Sequence, residues 1–391
     1  MFVHVVAISL KLKSRQHTCQ TCCLMAESAH LFGYNDSGQT TVPDLGGKRI
    51  IQAAAGFAHT VLILEDGTVR AFGANAHGQA TMPDLGGRKV VQAAAGSKHT
   101  VLRLEDGTVR AVGENHEGQT TLPDLGGREV VQAATGSYHT VLVLEDGIVR
   151  AFGRNDDGQT TLPDLGGMKV VQAATGAFHT VLVLEDGTVR FLGTYDVAQT
   201  TLPDLGGTKV VQAAAGTGHT VMVLEDGTVR AFGANCCGQT NIPDLGGRKV
   251  VQSAAGAGYT VLLLDNGTTQ IVGRTLAHVR IPDLMPEPGG KHVMQVAAGG
   301  RHFVLVMQAT YILSLTLTDH SVDVTTLAGE TIGQYEYSGD LTIGKIRADM
   351  CAKNDRIILL VSADGDLLDE TTDAVVLPST RLSQRRSERQ K

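Results

Sequence analysis

The sequence predicts an all-β chain, a seven-bladed β-propeller followed by a small α+β domain. Three observations carry this prediction. A 40-residue unit recurs through most of the 391 residues. Each unit holds three short apolar segments bounded by Gly or Asp-Gly. The period stops after residue 318, where the composition changes. Units of about 40 residues with three or four strands fit a ring of small sheets better than a solenoid.

The corner Gly-x-x-His recurs from Gly56, Gly96, Gly136, Gly176 and Gly216. It continues with Tyr259 in place of His after Gly256, and ends as Gly299-Gly300-Arg301-His302, which makes seven corners. Pro-Asp-Leu punctuates the chain at the same spacing from Pro43 to Pro243, and in altered context at Pro282. Within a unit, the VVQAA, HTVLVLED and TVRAFG segments are rich in Val, Leu and Phe and read as strands. Glu-Asp-Gly between the second and third is a hairpin signal, because Gly takes the positive φ that the turn requires. The middle strand is apolar on both faces, so it needs a sheet on either side. Ala53-Ala54-Ala55 and its copies supply small side chains where blades crowd an axis. An N-terminal strand from 30–34 completing the last blade would close the ring and remove its exposed edges. The alternative third strand for that blade is YILSLTL, 311–317. These limits give an extension over 1–26 and a propeller over 27–318.

The Gly-x-x-His-Thr, Asp-Gly-x-Val and Gly-x-Asn-x-x-Gly-Gln series resembles the regulator of chromosome condensation repeat family over residues 27–317. The family's Trp-Gly is replaced by Phe72-Gly73, Val112-Gly113, Phe152-Gly153, Leu192-Gly193 and Phe232-Gly233, and the unit matches the family's short-blade members. The resemblance implies a propeller, and a class of members that are guanine-nucleotide exchange factors or carry a HECT ubiquitin-ligase domain. A HECT domain needs several hundred residues, for which the chain beyond the propeller has no room, so no enzyme activity is expected.

The net charge of −7 argues against nucleic acid or an anionic membrane as partner. The N-terminal FVHVVAISL is too short to span a bilayer. The six cysteines include vicinal pairs rather than a disulfide framework, which favours a reducing compartment. The expected location is cytoplasmic, with a nuclear address left open by the basic tail at 378–391. A monomer without cofactor or metal is expected. Cys19, Cys22 and Cys23 make only half a zinc site. Histidines at a radius of about 10 Å on neighbouring blades would stand about 9 Å apart, too far to share one ion. Each is expected to tie a strand corner within its own blade.

Comparing the units with one another separates constant from variable positions. The variable ones lie inside Gly-x-x-His and beside the repeated Asn. Strand direction places both sets at the same end of the propeller, on loops carried by a rigid scaffold. The predicted protein-binding face comprises Phe57, His77, Lys98, His116, Glu117, Tyr138, Asp156, Asp157, Phe178, Tyr195 and Arg301. Aromatic and Arg anchors among mixed charges suit a protein partner.

In the C-terminal region, 322–337 alternates through a Leu-Ala-Gly turn, 338–354 carries a helical apolar spacing, and RIILLV and AVVL add strands. This order resembles the ubiquitin-like β-grasp over 320–377. The resemblance implies that Leu327 and Ile358 belong to an apolar recognition patch; the alternative for Ile358 is a core position. The function read from all this is a non-enzymatic protein-interaction scaffold with a link to ubiquitin pathways. The alternatives are an exchange factor for a small GTPase, or the substrate-recognition component of a ubiquitin ligase.

Overall fold

The computed structural model describes residues 29–193, 202–274 and 293–307, together with the strands Thr310–Leu317, Ser321–Thr326, Thr331–Glu336, Ile357–Val361 and Leu367–Leu368. The described residues up to Met307 form seven three-stranded antiparallel sheets. In the first, Ile50–Ala55, His59–Leu64 and Val69–Gly73 run in sequence order, with Ala53 opposite Leu62 and Val61 opposite Ala71. The next five sheets repeat this arrangement.

The seventh sheet joins the two ends of the repeat region. Val293–Ala298 and His302–Met307 supply two strands, and Ala29–Gly33 pairs along the free edge of His302–Met307, from Ala29 opposite Val306 to Gly33 opposite His302. A strand has two edges, and these two neighbours use both. The 311–317 alternative is thereby corrected. Thr310–Leu317 instead pairs antiparallel with Ser321–Thr326 and parallel with Ile357–Val361, inside a separate five-stranded sheet. The strands from Thr310 onward belong to a different compact unit from the seven sheets, the last of which ends at Met307. The expected helix at 338–354, the strand at 374–377, the tail and the extension at 1–26 lie outside the described residues.

The two apolar faces predicted for the middle strands are what pack one sheet on the next. Val61 and Ile63 pack with Val90, Ala93, Leu102 and Leu104 of the following sheet. Leu62 and Leu64, on the opposite face, pack with Val304 and Val306 of the seventh. All of these residues are buried, and each Val or Leu contributes about 1.5–3 kcal/mol by leaving water.

A second device links the innermost strands. The Gln52 side chain accepts from the Ala93 amide at 2.7 Å and donates to the Ala93 carbonyl at 3.0 Å. One carboxamide thus imitates a strand neighbour. Gln92 pairs in this way with Ala133, Gln132 with Ala173, Gln172 with Ala213, and Gln212 with Ser253. Gln252 accepts from Val296, and Gln295 bonds Ala53 across the seam between the last sheet and the first. The Gln of VVQAA had no assigned role in the sequence reading, because its periodicity is that of any half-exposed strand position.

Candidate functional site: the variable-loop face

The repeated histidines do not act within their own blades, as the sequence reading expected. Each reaches the threonine of the next blade. His59 Nε2 lies 2.9 Å from Thr100 Oγ1, His99 3.0 Å from Thr140, and His139 2.9 Å from Thr180. His179 lies 3.0 Å from Thr220, His219 2.9 Å from Thr260, and His302 2.7 Å from Thr60. His59 begins a middle strand and shares a face with Val61 and Ile63, which pack on the following sheet, so its ring meets that blade and not its own; this explains the correction.

The tautomer follows from counting protons. Thr100 Oγ1 donates its single hydrogen to the Gln79 carbonyl at 2.7 Å, and Thr60, Thr140, Thr180 and Thr260 do the same to Gln39, Gln119, Gln159 and Gln239. The hydroxyl can therefore only accept from the histidine, so Nε2 carries the proton and Nδ1 does not. Burial holds these rings neutral. It pushes the pKa down to about 3 for His99, His139 and His302, with like-charged neighbours adding to the shift. For His59, His179 and His219 it falls to about 4. The corner glycine is forced by the same ring, since a Cβ on Gly56 would stand 2.5 Å from both His59 Nδ1 and the Gly96 carbonyl. Among the described residues, no group of three or more His, Cys, Asp or Glu is placed to hold a metal.

With the histidines assigned to the scaffold, the loops remain. The loop around Asn155 explains which of its residues repeat. Thr160 N donates to Asn155 Oδ1, Asn155 Nδ2 donates to Thr161 Oγ1, and Gly158 N donates to the Asn155 carbonyl. Asp157 N donates to Gln159 Oε1. Asn, Gly and Gln are consumed by the loop's own frame, whereas the side chains of Asp156 and Asp157 are not. The two variable sets do share one end: Ala74 N, Glu114 N and Arg154 N donate to the carbonyls of Ala58, Lys98 and Tyr138.

The structure brings several predicted residues together. Lys98 Nζ and His77 Nδ1 lie 3.3 and 3.5 Å from the same Glu114 oxygen, which joins loops of neighbouring blades. Arg154 binds Asp156 at 3.0 Å, approaches Asp157 at 3.7 Å and lies 5.6 Å over the Phe178 ring. Arg301 lies 5.0 Å over Phe57 and 5.8 Å over Tyr34. His116 and Glu117 stand exposed at a loop tip, and Tyr138 is half-buried beside Arg154. Tyr195 and Leu327 lie outside the described residues; Ile358 lies in the strand Ile357–Val361. Glu114, Arg154 and Tyr34 were missed. They occupy one position, the residue after the third-strand glycine, which also varies as Ala74, Ala234 and Arg274. That third variable column was available in the sequence.

The axis at this end is lined by small residues, including Ala55, Gly96, Ser137 and Thr175. The cavity there measures about 80 Å³, well below the roughly 300 Å³ at which small-molecule pockets begin. Among the described residues, no helix is long and apolar enough to cross a membrane.

The comparisons agree with this geometry. Residues 50–79, 90–119, 130–159 and 210–239 match the family model of the regulator of chromosome condensation (RCC1) repeat. Human WBSCR16 is a similar solved structure, with 19% identity, 71% of this chain and 98% of that chain covered, and a TM-score of 0.61. Prp20p of Saccharomyces cerevisiae, described with its binding to Gsp1p and histones, is similar at 19% identity, 73% and 92% coverage and a TM-score of 0.60. The same yeast protein bound to Kap60 gives 19%, 78% and 97%, and 0.58. No curated protein matches the chain in sequence. Four stretches of the chain thus match the RCC1 repeat, and the described residues up to Met307 fold into seven three-stranded β-blades like those of the RCC1-type propellers.

Proposed function

We propose that the chain is a non-enzymatic scaffold that docks a protein on its variable-loop face. One observation carries the reading: the side chains that differ between units gather on loops whose backbones are held by the constant Asn, Gly and Gln. A fixed frame presenting changeable side chains is the usual design of a binding surface. Arg154, stacked near Phe178 and next to Tyr138, and Arg301, over Phe57, supply residue types that dominate protein interfaces. Affinity capture with wild type and with Tyr138→Ala plus Phe178→Ala tests this. Loss of specific partners from the double variant is the expected result; an unchanged partner set overturns it.

A second reading, nucleotide exchange on a small GTPase, draws support from the likeness to yeast Prp20p, whose structure is described with its binding to Gsp1p. A nucleotide-release assay against a panel of small GTPases separates the two, since clear acceleration by the chain would end the purely scaffolding reading. For the C-terminal region, a ubiquitin-like β-grasp is our reading of the five-stranded mixed sheet. Support comes from the hairpin of Ser321–Thr326 with Thr331–Glu336 and from the parallel pairing of Thr310–Leu317 with Ile357–Val361. A link to ubiquitin pathways rests on that reading alone.

A further inference from the structure

One loop of the variable face carries chemistry that the others lack. Where the equivalent loops present Ala76-His77, His116-Glu117 and Asp156-Asp157, the loop between the fifth and sixth sheets presents Cys236-Cys237. Adjacent side chains on an extended strand point to opposite faces, but this is a turn. Gly238 N donates to the Asn235 carbonyl at 3.1 Å, and Cys237 N donates to Gln239 Oε1 at 2.9 Å. Thr240 N donates to Asn235 Oδ1 at 3.1 Å, and Asn235 Nδ2 donates to Asn241 Oδ1 at 2.8 Å. The frame that fixes the other loops thus holds both thiols on one side, with their sulfurs 3.8 Å apart.

That distance discriminates between two fates of the pair. A disulfide usually holds Cα atoms at least about 4.4 Å apart, whereas consecutive residues across a trans peptide sit about 3.8 Å apart, so bridging would strain the turn. Two thiolates on a tetrahedral ion with bonds of about 2.3 Å lie about 3.8 Å from each other. The pair already has that spacing. Cys236 is exposed, so an ion can approach from solvent. Cys237 lies against Gly258, where a Cβ would stand 3.1 Å from the sulfur. Burial and the neighbouring Cys236 thiol push the Cys237 pKa up, while the Arg274 charge opposes them. Because sulfur binds a metal as thiolate, binding of an ion displaces thiol protons.

We infer that Cys236 and Cys237 form a bidentate site for a thiophilic divalent cation such as Zn²⁺ or Cd²⁺ on the variable face. In the binding step two S–H bonds break, two metal–sulfur bonds form and two protons pass to solvent, with no change in oxidation state. Water completes the coordination in the isolated protein. The inference does not depend on the scaffolding reading.

The test uses the full chain carrying Cys19→Ser, Cys22→Ser, Cys23→Ser and Cys351→Ser, reduced and kept under argon, titrated with Cd²⁺. The expected result is one ion per chain, a sulfur-to-cadmium charge-transfer band in the near ultraviolet, and proton release measurable by calorimetry in two buffers of different ionisation enthalpy. Adding either Cys236→Ser or Cys237→Ser should weaken binding at least about tenfold and remove most of the band, because one of two thiolate ligands is lost. Unaltered thermal melting would show that the loop frame survives in these variants. Absence of the band in the parent, or full-strength binding in either serine variant, would overturn the inference.

Discussion

Tyr259 and Phe303 are exchanged together. Six units place a histidine against the next blade's threonine, but after the sixth corner that threonine is Phe303 and the histidine is Tyr259. The two rings lie 6.0 Å apart, both fully buried, and Phe303 also stacks on Phe32 at 5.0 Å. The Tyr259 hydroxyl, with no threonine to meet, reaches the backbone carbonyls of His302 at 2.6 Å and Gly299 at 2.9 Å. Its burial holds the phenol far above the usual tyrosine range. A buried polar tip must find an acceptor, and the longer side chain finds one in the backbone of the next blade.

A double-mutant cycle tests this exchange. Tyr259→His alone leaves an imidazole facing Phe303, and Phe303→Thr alone leaves a cavity beside Phe32. Each should cost about 2–4 kcal/mol in chemical denaturation. The two together recreate the histidine–threonine tie of the other seams, so the double variant should recover about 1–3 kcal/mol of the summed loss.

Stability should fall in mild acid. The unfolded histidines titrate near 6.5, whereas His59, His99, His139, His179, His219 and His302 do so only near 3 to 4 in the fold. The unfolded chain therefore binds protons first. Their contribution is complete above pH 6.5 and is lost as pH falls toward 4, at about 1.4 kcal/mol per pH unit for each ring. Denaturant midpoints measured from pH 7.5 to 4.5 should drop steeply, and less steeply in His139→Gln, which removes one titrating group.

Replacing Gly56 by Ala should destabilise more than an ordinary surface change. The methyl group would press on His59 and on the Gly96 carbonyl of the neighbouring blade, and backbone cannot yield as a side chain tip does. A loss of about 2–4 kcal/mol is expected. Gly38→Ala makes the control, because open space surrounds it although its φ, unlike that of Gly56, is positive at 82°. There only backbone strain of about 1 kcal/mol should appear.

The closing seam should be a weak point with a kinetic signature. Among the described residues, Ala29–Gly33 pairs only with His302–Met307, and Leu31 packs with Ile50, Leu62 and Val304. Leu31→Asp places a charge against that apolar cluster at a half-buried position. Hydrogen exchange should speed up first in Val293–Ala298 and His302–Met307, while Val130–Thr135, three blades away, should change least.

How much of this was legible follows from what repeats and what pairs. The strand corners, the Glu-Asp-Gly hairpins and the blade count were readable because each unit restates the same apolar spacing. The end of the variable loops was readable because antiparallel order alone decides which turns lie together. The constant Gln of VVQAA and the column of Tyr34, Glu114 and Arg154 were present in the same repeats. Gln52, Glu114 and Arg154 each have a partner in a neighbouring blade, however, and spacing within a unit says nothing of contacts between units. For the same reason His139 was assigned to its own blade rather than to Thr180.

By itself the sequence determined the unit: its strands, its turns, its small residues at the axis and the positions free to vary. Local propensity and hydrophobic alternation are properties of a few neighbouring residues, so forty of them suffice to express it. Only the tertiary structure decided how the units join. The choice of Ala29–Gly33 over Thr310–Leu317 for the last blade, the glutamine ties across every seam, the histidine–threonine ties across six of the seven, and the 3.8 Å approach of Cys236 and Cys237 all depend on distances. Two segments with equally good strand character compete for one edge. What selects between them is the burial and the hydrogen bonding available when the ring closes.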